Sequence, residues 1–324
     1  MSDTHIMVGR PSVFASGAVP EGSTIEQAMQ AANLLNWNVR TAPMFVHVPG
    51  AEGGTQVRAP FKQGIVRDNP YDTGRIDVLG DAGKSYKASQ NEELAALMQD
   101  VVDNSAAQPE AALSINGGRR VLLQLRLGTD ILVGGDATQA YLVGSQAHTG
   151  SESMKLFVMG QRMACANMFA PALRGAKSVY RIRHTEQSDR RIAEIRATLD
   201  LSFAYFEDLG AAIARMANET YTDAQFRALV RREFGARKGA TEREQRNAEA
   251  RQAEFIGLWN GSQTLTGIKG TRWGAYNVFT EWADHFSRVN AKGKDKELVR
   301  AEKVLSGGFD VMKQTMWNKL YVPA

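Results

Sequence analysis

Apolar residues in the middle of the chain change from helical to strand spacing. In Glu92–Val102, the apolar side chains at positions 94, 97, 98 and 101 would share one face of a helix. In Arg119–Leu127, apolar odd positions alternate with a mainly polar set, which is typical of a half-buried strand. Ala140–Val143 and Met154–Met159 continue as short strands after glycine-containing turns. The pattern predicts a helix followed by an antiparallel β-meander.

The segments after the meander are predicted to be mainly helical. We expect a helix over Arg162–Leu173, which Pro171 must end or kink, and then a short extended piece over Ser178–His184. The helices predicted beyond residue 188 are Arg191–Asn218, two that begin at the capping boxes Thr222–Gln225 and Thr241–Glu244, Trp273–Val289 and Phe309–Leu320.

The first 85 residues are rich in glycine, proline and polar residues and hold only short apolar pieces. They predict short strands and loops, with one helix around Ser23–Leu35 that Ser23 and Gln27 would cap. Because strands and helices are segregated along the chain, we expect the α+β class, with an antiparallel β-meander and a packed helix followed by a helical C-terminal region. Three regions follow: a strand and loop segment (1–85), a basic meander with a helix (86–190) and a helical region (191–324).

The net charge of +4 over 324 residues conceals an uneven distribution. Residues 1–118 carry 8 Lys and Arg against 13 Asp and Glu, whereas residues 119–191 carry 11 against 5. A cationic segment favours an anionic partner. There is no apolar run of membrane-spanning length, no signal-peptide pattern and one cysteine, so we expect no membrane association and a cytoplasmic location.

Candidate catalytic and metal-binding residues are sparse. The five histidines form no metal-binding pair, and no string matches the phosphate-cradling G-x-x-x-x-G-K followed by Ser or Thr. Cys165 could act as a nucleophile with His184 as its base, but a lone cysteine in an apolar segment is more often a buried hydrophobe. We therefore expect no catalytic constellation, no cofactor and no metal.

Basic residues on the predicted strands are the main binding candidates. Strand alternation places cations on one side of the sheet and Leu and Val on the other. Cations track phosphates, and interleaved aromatic rings can stack on unpaired bases; the alternative is that these arginines pair with acidic side chains of the same domain. The expected phosphate contacts are Arg119, Arg120, Arg126, Lys155, Arg162, Arg174, Lys177, Arg181 and Arg183, with Tyr141, Phe157 and Tyr180 as stacking candidates.

Several segments resemble the family known as domain of unknown function 932, although Met163–Met168 departs from its usual helix motif. The family implies a phage or plasmid origin without a settled function. Its helix-and-meander order is similar to the core of single-strand annealing recombinases. The resembling segments, in family order, are KSYKASQNEE (Lys84–Glu93), INGGRRVLLQLRL (Ile115–Leu127), YLVGSQAHTGS (Tyr141–Ser151), QRMACANMF (Gln161–Phe169), RIRHT (Arg181–Thr185) and TRWGAYNVFTEWADH (Thr271–His285).

The resemblance and the charge pattern together predict a protein that binds and anneals single-stranded DNA. Such a protein would act as a homo-oligomeric ring or filament without nucleotide hydrolysis, with a phage nuclease or a host single-strand binding protein as a further partner. The alternative is a non-enzymatic phage module for protein interaction or structural assembly, which the amphipathic helices of the last third favour. A cysteine-dependent enzyme is the third hypothesis.

Overall fold

The computed structural model describes residues 17–50, 53–133, 135–150, 154–164, 167–169, 179–180, 188–293 and 295–323. Two antiparallel sheets precede a helical C-terminal region, which confirms the α+β class. The first sheet has the strand order β1-β2-β3 and follows a short helix, α1. The bounds are α1 (Ile25–Ala31), β1 (Arg40–Val48), β2 (Thr55–Asp68) and β3 (Ile76–Gly83).

The second sheet is the predicted meander, extended by strands at both ends. Its order is β4-β5-β6-β7-β8, with β9 also paired to β7. The helix that precedes it, α2, packs on the sheet where Gly144 leaves room for Leu94 and Met98. The bounds are α2 (Asn91–Asp103), β4 (Gln108–Ile115), β5 (Arg120–Val133), β6 (Asp136–Ala147), β7 (Lys155–Arg162), β8 (Met168–Phe169) and β9 (Val179–Tyr180).

The helical region begins with one long helix and closes around a cluster of aromatic rings. Phe226 stacks on Trp259 with ring centroids 4.5 Å apart, and Phe255 lies 5.0 Å from Phe279. Both predicted capping boxes form, with Thr222 and Thr241 each accepting from the backbone three residues ahead. The bounds are α3 (Ser188–Asn218), α4 (Asp223–Phe234), α5 (Glu242–Gly261), α6 (Arg272–Glu281), a π-helical turn (Trp282–Phe286), α7 (Lys296–Leu305) and α8 (Asp310–Leu320).

The helix predicted over Arg162–Leu173 is wrong in the parts that the structure describes, residues 162–164 and 167–169. Arg162 closes β7, and Met168 pairs with Gln161 in β8, so the chain turns back on itself between them. The Arg162 amide donates to the Asn167 carbonyl at 3.0 Å, which holds this turn. A short apolar run does not distinguish a helix from a tight strand return, because periodicity needs more length than this segment has.

Three further expectations are corrected. The strand β5 is buried on both faces rather than one: Gln124, on its polar side, is 1% exposed. The cap of α1 is Thr24, whose hydroxyl accepts from the Gln27 amide, instead of Ser23. In the described part of the first 85 residues there are three substantial strands, which the sequence hid because much of their apolar surface remains exposed.

Gly80 shows how closely the two sheets approach each other. A Cβ at this position would stand 2.8 Å from the Thr149 Cα and 3.1 Å from the His148 carbonyl oxygen, both backbone atoms. At Gly64, on the neighbouring strand, the nearest such atom is 3.8 Å away. The contact between sheets therefore leaves no room for a side chain at residue 80.

We expect Gly80→Ala to lower the free energy of unfolding by about 1–3 kcal/mol, because backbone must shift to admit the methyl group. Gly64→Ala is the matched control and should leave stability unchanged or raise it by up to about 1 kcal/mol. Urea denaturation of both variants measures the difference. Equal stability of the two would contradict the close contact between the sheets.

Candidate functional site

Four of the predicted phosphate contacts reach the surface or its edge. Arg119 is exposed, although its Nε donates to the Leu79 carbonyl at 2.7 Å. Arg126 is partly exposed and forms an ion pair with Asp130 at 3.2 Å. That pair matches the alternative expectation for the arginines, in which acidic side chains of the same domain neutralise them.

Arg120 and Lys155 come together on one face of the second sheet, as strand alternation predicts. The Arg120 guanidinium donates to the Ser145 hydroxyl at 3.0 Å, and Lys155 is the cross-strand partner of Ser145. Phe157 lies next along β7 and is half-buried against the core. The structure thus joins two of the predicted cations from strands that are 35 residues apart in numbering.

Tyr141 is wrong as a stacking residue, because its side chain is fully buried. Its hydroxyl lies 2.7 Å from the Glu110 carboxylate and 2.6 Å from the Gln139 amide oxygen. Burial, followed by the negative charge of Glu110, raises the pKa of Tyr141 well above its usual value. The phenol therefore serves as a buried hydrogen-bond donor and presents no ring to a ligand.

Arg162 is also wrong as a phosphate contact, because it is 0% exposed. Its Nε lies 2.7 Å from both carboxylate oxygens of Asp136, and its Nη2 donates to the Thr264 carbonyl. The Trp273 indole donates to the same carboxylate at 2.9 Å. We call these four residues the sheet–helix junction, since they tie β6 and β7 to the segment before α6 and to α6 itself.

A second buried pair supports the same interface. The Lys313 ammonium contacts the Asp284 carboxylate and donates to the Met168 carbonyl at 2.6 Å. The other carboxylate oxygen of Asp284 accepts from the Met168 amide at 2.8 Å. Residues of β8, the π-helical turn and α8 thereby hold one another without exposed charge.

The remaining predicted residues lie mostly outside the described part of the chain. Tyr180 lies in β9, paired with Leu156, and only its backbone is described. The residues outside the described ranges are Arg174, Lys177, Arg181, Arg183, Cys165 and His184.

A buried polar group also joins the two sheets. The Arg67 guanidinium lies 3.9 Å from the centre of the Trp37 ring and pairs with Asp77 at 3.1 Å. His148 lies against the other side of this group, with its ring 5.9 Å from that of Trp37 and its Nε2 2.7 Å from the Asn91 amide oxygen. We call these five residues the sheet–sheet junction.

The tautomer of His148 follows from its neighbour. Asn91 donates its amide group to the Leu34 carbonyl at 2.8 Å, so its oxygen faces His148 and must accept from Nε2. Within the described part of the chain, the buried Nδ1 has no hydrogen-bond partner. Burial, and then the positive charge of Arg67, lowers the pKa of His148 to about 4.

Two exposed surfaces were missed by the sequence reasoning. Four exposed cations on α4, α5 and the turn between them make no hydrogen bond or ion pair with a described residue. We call these four, Arg227, Arg231, Lys238 and Arg243, the basic helical surface. The far half of the β1–β2 hairpin, which we call the distal arm, exposes Phe45, Val46, Val48, Val57 and Phe61. The signal for the first was the run of arginines around the capping boxes. For the distal arm, the only signal was the strand-like segment MFVHV.

Metal and membrane sites were searched for in the described ranges alone. There, no group of three or more His, Cys, Asp or Glu side chains is placed to hold a metal ion. Among those same residues, no helix combines the length and apolar character that crossing a bilayer requires.

Removing the charge of Asp136 should be costly, because the buried Arg162 guanidinium loses the carboxylate whose two oxygens lie 2.7 Å from its Nε. We expect Asp136→Asn to lower the free energy of unfolding by about 3–5 kcal/mol. The control is Asp130→Asn, which breaks the partly exposed pair with Arg126 and should cost at most about 1 kcal/mol. Chemical denaturation followed by circular dichroism compares the two. A small loss for Asp136→Asn would refute the structural importance of the junction.

Acid should weaken the fold through His148. The unfolded chain binds this proton near pH 6.5 but the folded chain only near 4, so stability is complete above pH 6.5 and falls as the pH drops towards 4. The loss of unfolding free energy due to His148 should reach about 3 kcal/mol. Denaturation curves of the wild type and of His148→Gln between pH 7 and 4 test this prediction. The free energy of unfolding should depend less on pH in the variant. His47→Gln, at an exposed position, should leave the pH dependence unchanged.

A comparison with protein families matches residues 78–305 to the family described as Domain of unknown function (DUF932). No curated protein matches the chain, and no solved structure matches it either. The matched range contains the second sheet, most of the helical region and all four residues of the sheet–helix junction. Since the match covers more than two thirds of the sequence, the chain belongs to the DUF932 family.

Proposed function

We propose that this protein binds and anneals single-stranded DNA as an oligomer, without nucleotide hydrolysis. The observation that carries the proposal is the basic helical surface. Its four cations are exposed on one helical hairpin, and no described residue neutralises them. Such a surface attracts a polyanion and would release counterions from the phosphate backbone on binding.

Some of the acidic residues nearby are already paired with other cations, and others accept hydrogen bonds from neutral donors. Glu233 pairs with Arg232 at 2.7 Å, and Glu242 with Arg246 at 3.5 Å. Glu244 is engaged in the cap of α5, where it accepts from Thr241. Asp223 accepts from the Trp259 indole at 2.7 Å. Residues 222–261 carry 8 Lys and Arg against 6 Asp and Glu, so this region keeps a net positive charge that can attract an anionic ligand.

Cations on the second sheet support the same partner. Arg119 is exposed on the turn before β5, and the segment from residue 119 to 191 has a surplus of six positive charges, 11 against 5. Annealing and self-association enter the proposal from the sequence resemblance alone, in which a helix followed by a meander, here α2 and β4–β7, resembles the element order of single-strand annealing recombinases. A phage or plasmid setting, with a nuclease or single-strand binding protein as a partner, fits this activity.

The rival function is a protein-interaction module, and one observation favours it. The distal arm exposes several large apolar side chains, and such patches often mark protein interfaces. A module of this kind would bind its partner in high salt and without nucleic acid. A polyanion-binding protein would lose affinity steeply as salt rises.

The test is fluorescence anisotropy with a labelled single-stranded oligonucleotide across a salt series. We expect binding at low salt, and we expect the double variant Arg227→Ala and Arg231→Ala to reduce the slope of log affinity against log salt by about 1–2. Arg246→Ala, which removes a cation already paired with Glu242, is the control and should change the slope little.

Three results would count against the proposal. Absence of binding at low salt would overturn it. A salt-independent affinity would favour the protein-interaction module. An unchanged slope in the double variant, with a normal wild-type slope, would move the site away from the basic helical surface.

A further inference from the structure

We propose that the distal arm is a base-stacking site, with Phe45 and Phe61 as platforms for unpaired bases. This inference rests on the proposed function and names the part of the molecule that would select single-stranded over double-stranded DNA. Phe45 is 52% exposed and Phe61 is 79% exposed. Exposing two phenyl rings to water on the same hairpin is unfavourable unless a ligand covers them.

The register of the hairpin sets aromatic and cationic side chains side by side. Phe45 is the cross-strand partner of Arg58, so both project from one face of the hairpin. Phe61 lies in the irregular part of β2, where the pairing shifts between Pro43 and Phe45. Lys62 follows it directly in sequence, with its ammonium in an exposed pair with Asp81.

This combination suits a nucleic-acid strand, since a base can stack on each ring while the neighbouring cation contacts a phosphate. Stacking uses the flat face of a base and leaves its hydrogen-bonding edge free. An annealing protein needs that edge to be available for a complementary strand. In a duplex both faces of each base are already stacked, so the arm would contact paired DNA poorly.

A second copy of the chain is a less suitable occupant. On β1 and β2, Arg40, Lys62 and Arg67 are already paired with Asp68, Asp81 and Asp77. Arg58 lies in the distal arm, where positions 44–48 and 55–61 hold no Asp or Glu, so two arms packed on this face would bring their Arg58 side chains close. The free edge of β1 contains Pro43, and proline blunts an edge strand against the addition of another strand. The Arg58 guanidinium beside Phe45 therefore favours an anionic ligand on this face over another arm.

The opposite face of the hairpin provides an internal control. Val46 and Val57 are cross-strand partners and project from the face opposite Phe45 and Arg58. Both are about half exposed, at 51% each. Replacing them changes the apolar character of the arm without touching the two rings.

The experiment compares three proteins: the wild type, Phe45→Leu with Phe61→Leu, and Val46→Thr with Val57→Thr. Leucine keeps the arm apolar and removes only the stacking surface. Binding is measured by anisotropy on single-stranded and double-stranded oligonucleotides of equal length. Stacking is measured with an oligonucleotide that carries 2-aminopurine, whose fluorescence is quenched when the base stacks. Thermal melting and light scattering check that folding and oligomeric state are unchanged.

We expect the phenylalanine double variant to lose affinity for the single strand by about tenfold or more, and to quench 2-aminopurine less. Its affinity for duplex should stay within about twofold of the wild type, and the valine double variant should behave like the wild type on both ligands.

Normal single-strand binding by the phenylalanine variant would overturn the stacking site and leave the proposed function standing. Failure of the wild type to bind any single strand would overturn both. A changed oligomeric state with unchanged DNA binding would show that the arm is a self-association surface and overturn the inference.

Discussion

The rest of the structure depends on the buried ion pair between Asp136 and Arg162. Two charges removed from water are costly unless each finds its counter-charge and further hydrogen bonds. The Trp273 indole and the Thr264 carbonyl supply those bonds, and both belong to the helical region. The end of the meander can therefore bury its charge only when the helices are in place. This constraint couples the sheet to α6 and to the segment between α5 and α6.

The segments that resemble the family are used mainly for scaffolding. Those around Arg162 and Trp273 meet at the sheet–helix junction, and His148 and Asn91, from two others, meet at the sheet–sheet junction. In both places a buried polar side chain is held by partners distant in sequence. The surfaces that we propose for ligand binding lie elsewhere, on the helical hairpin and the distal arm.

Much of the fold could be predicted because its signals are local. The helical spacing of Leu94, Leu97 and Met98 and the alternation after Arg119 each need only one element to be interpreted, and the structure has both. The same holds for the capping boxes of α4 and α5. The failed helix after Arg162 is different, because a hydrogen bond between Arg162 and Asn167 and the pairing of Met168 decide it. Those bonds form only when β7 is already held in the sheet.

The sequence by itself determined the α+β class, the order of the meander and helices, and the concentration of positive charge after residue 119. It could not determine which cations face a ligand, because charge is a property of the residue but exposure is a property of the packed molecule. Arg120 and Arg162 look alike in sequence, yet one approaches Ser145 at the edge of the core and the other is sealed against Asp136. Only the tertiary structure decided this, through contacts between residues more than a hundred positions apart, such as Arg162 with Thr264 and Asp136 with Trp273.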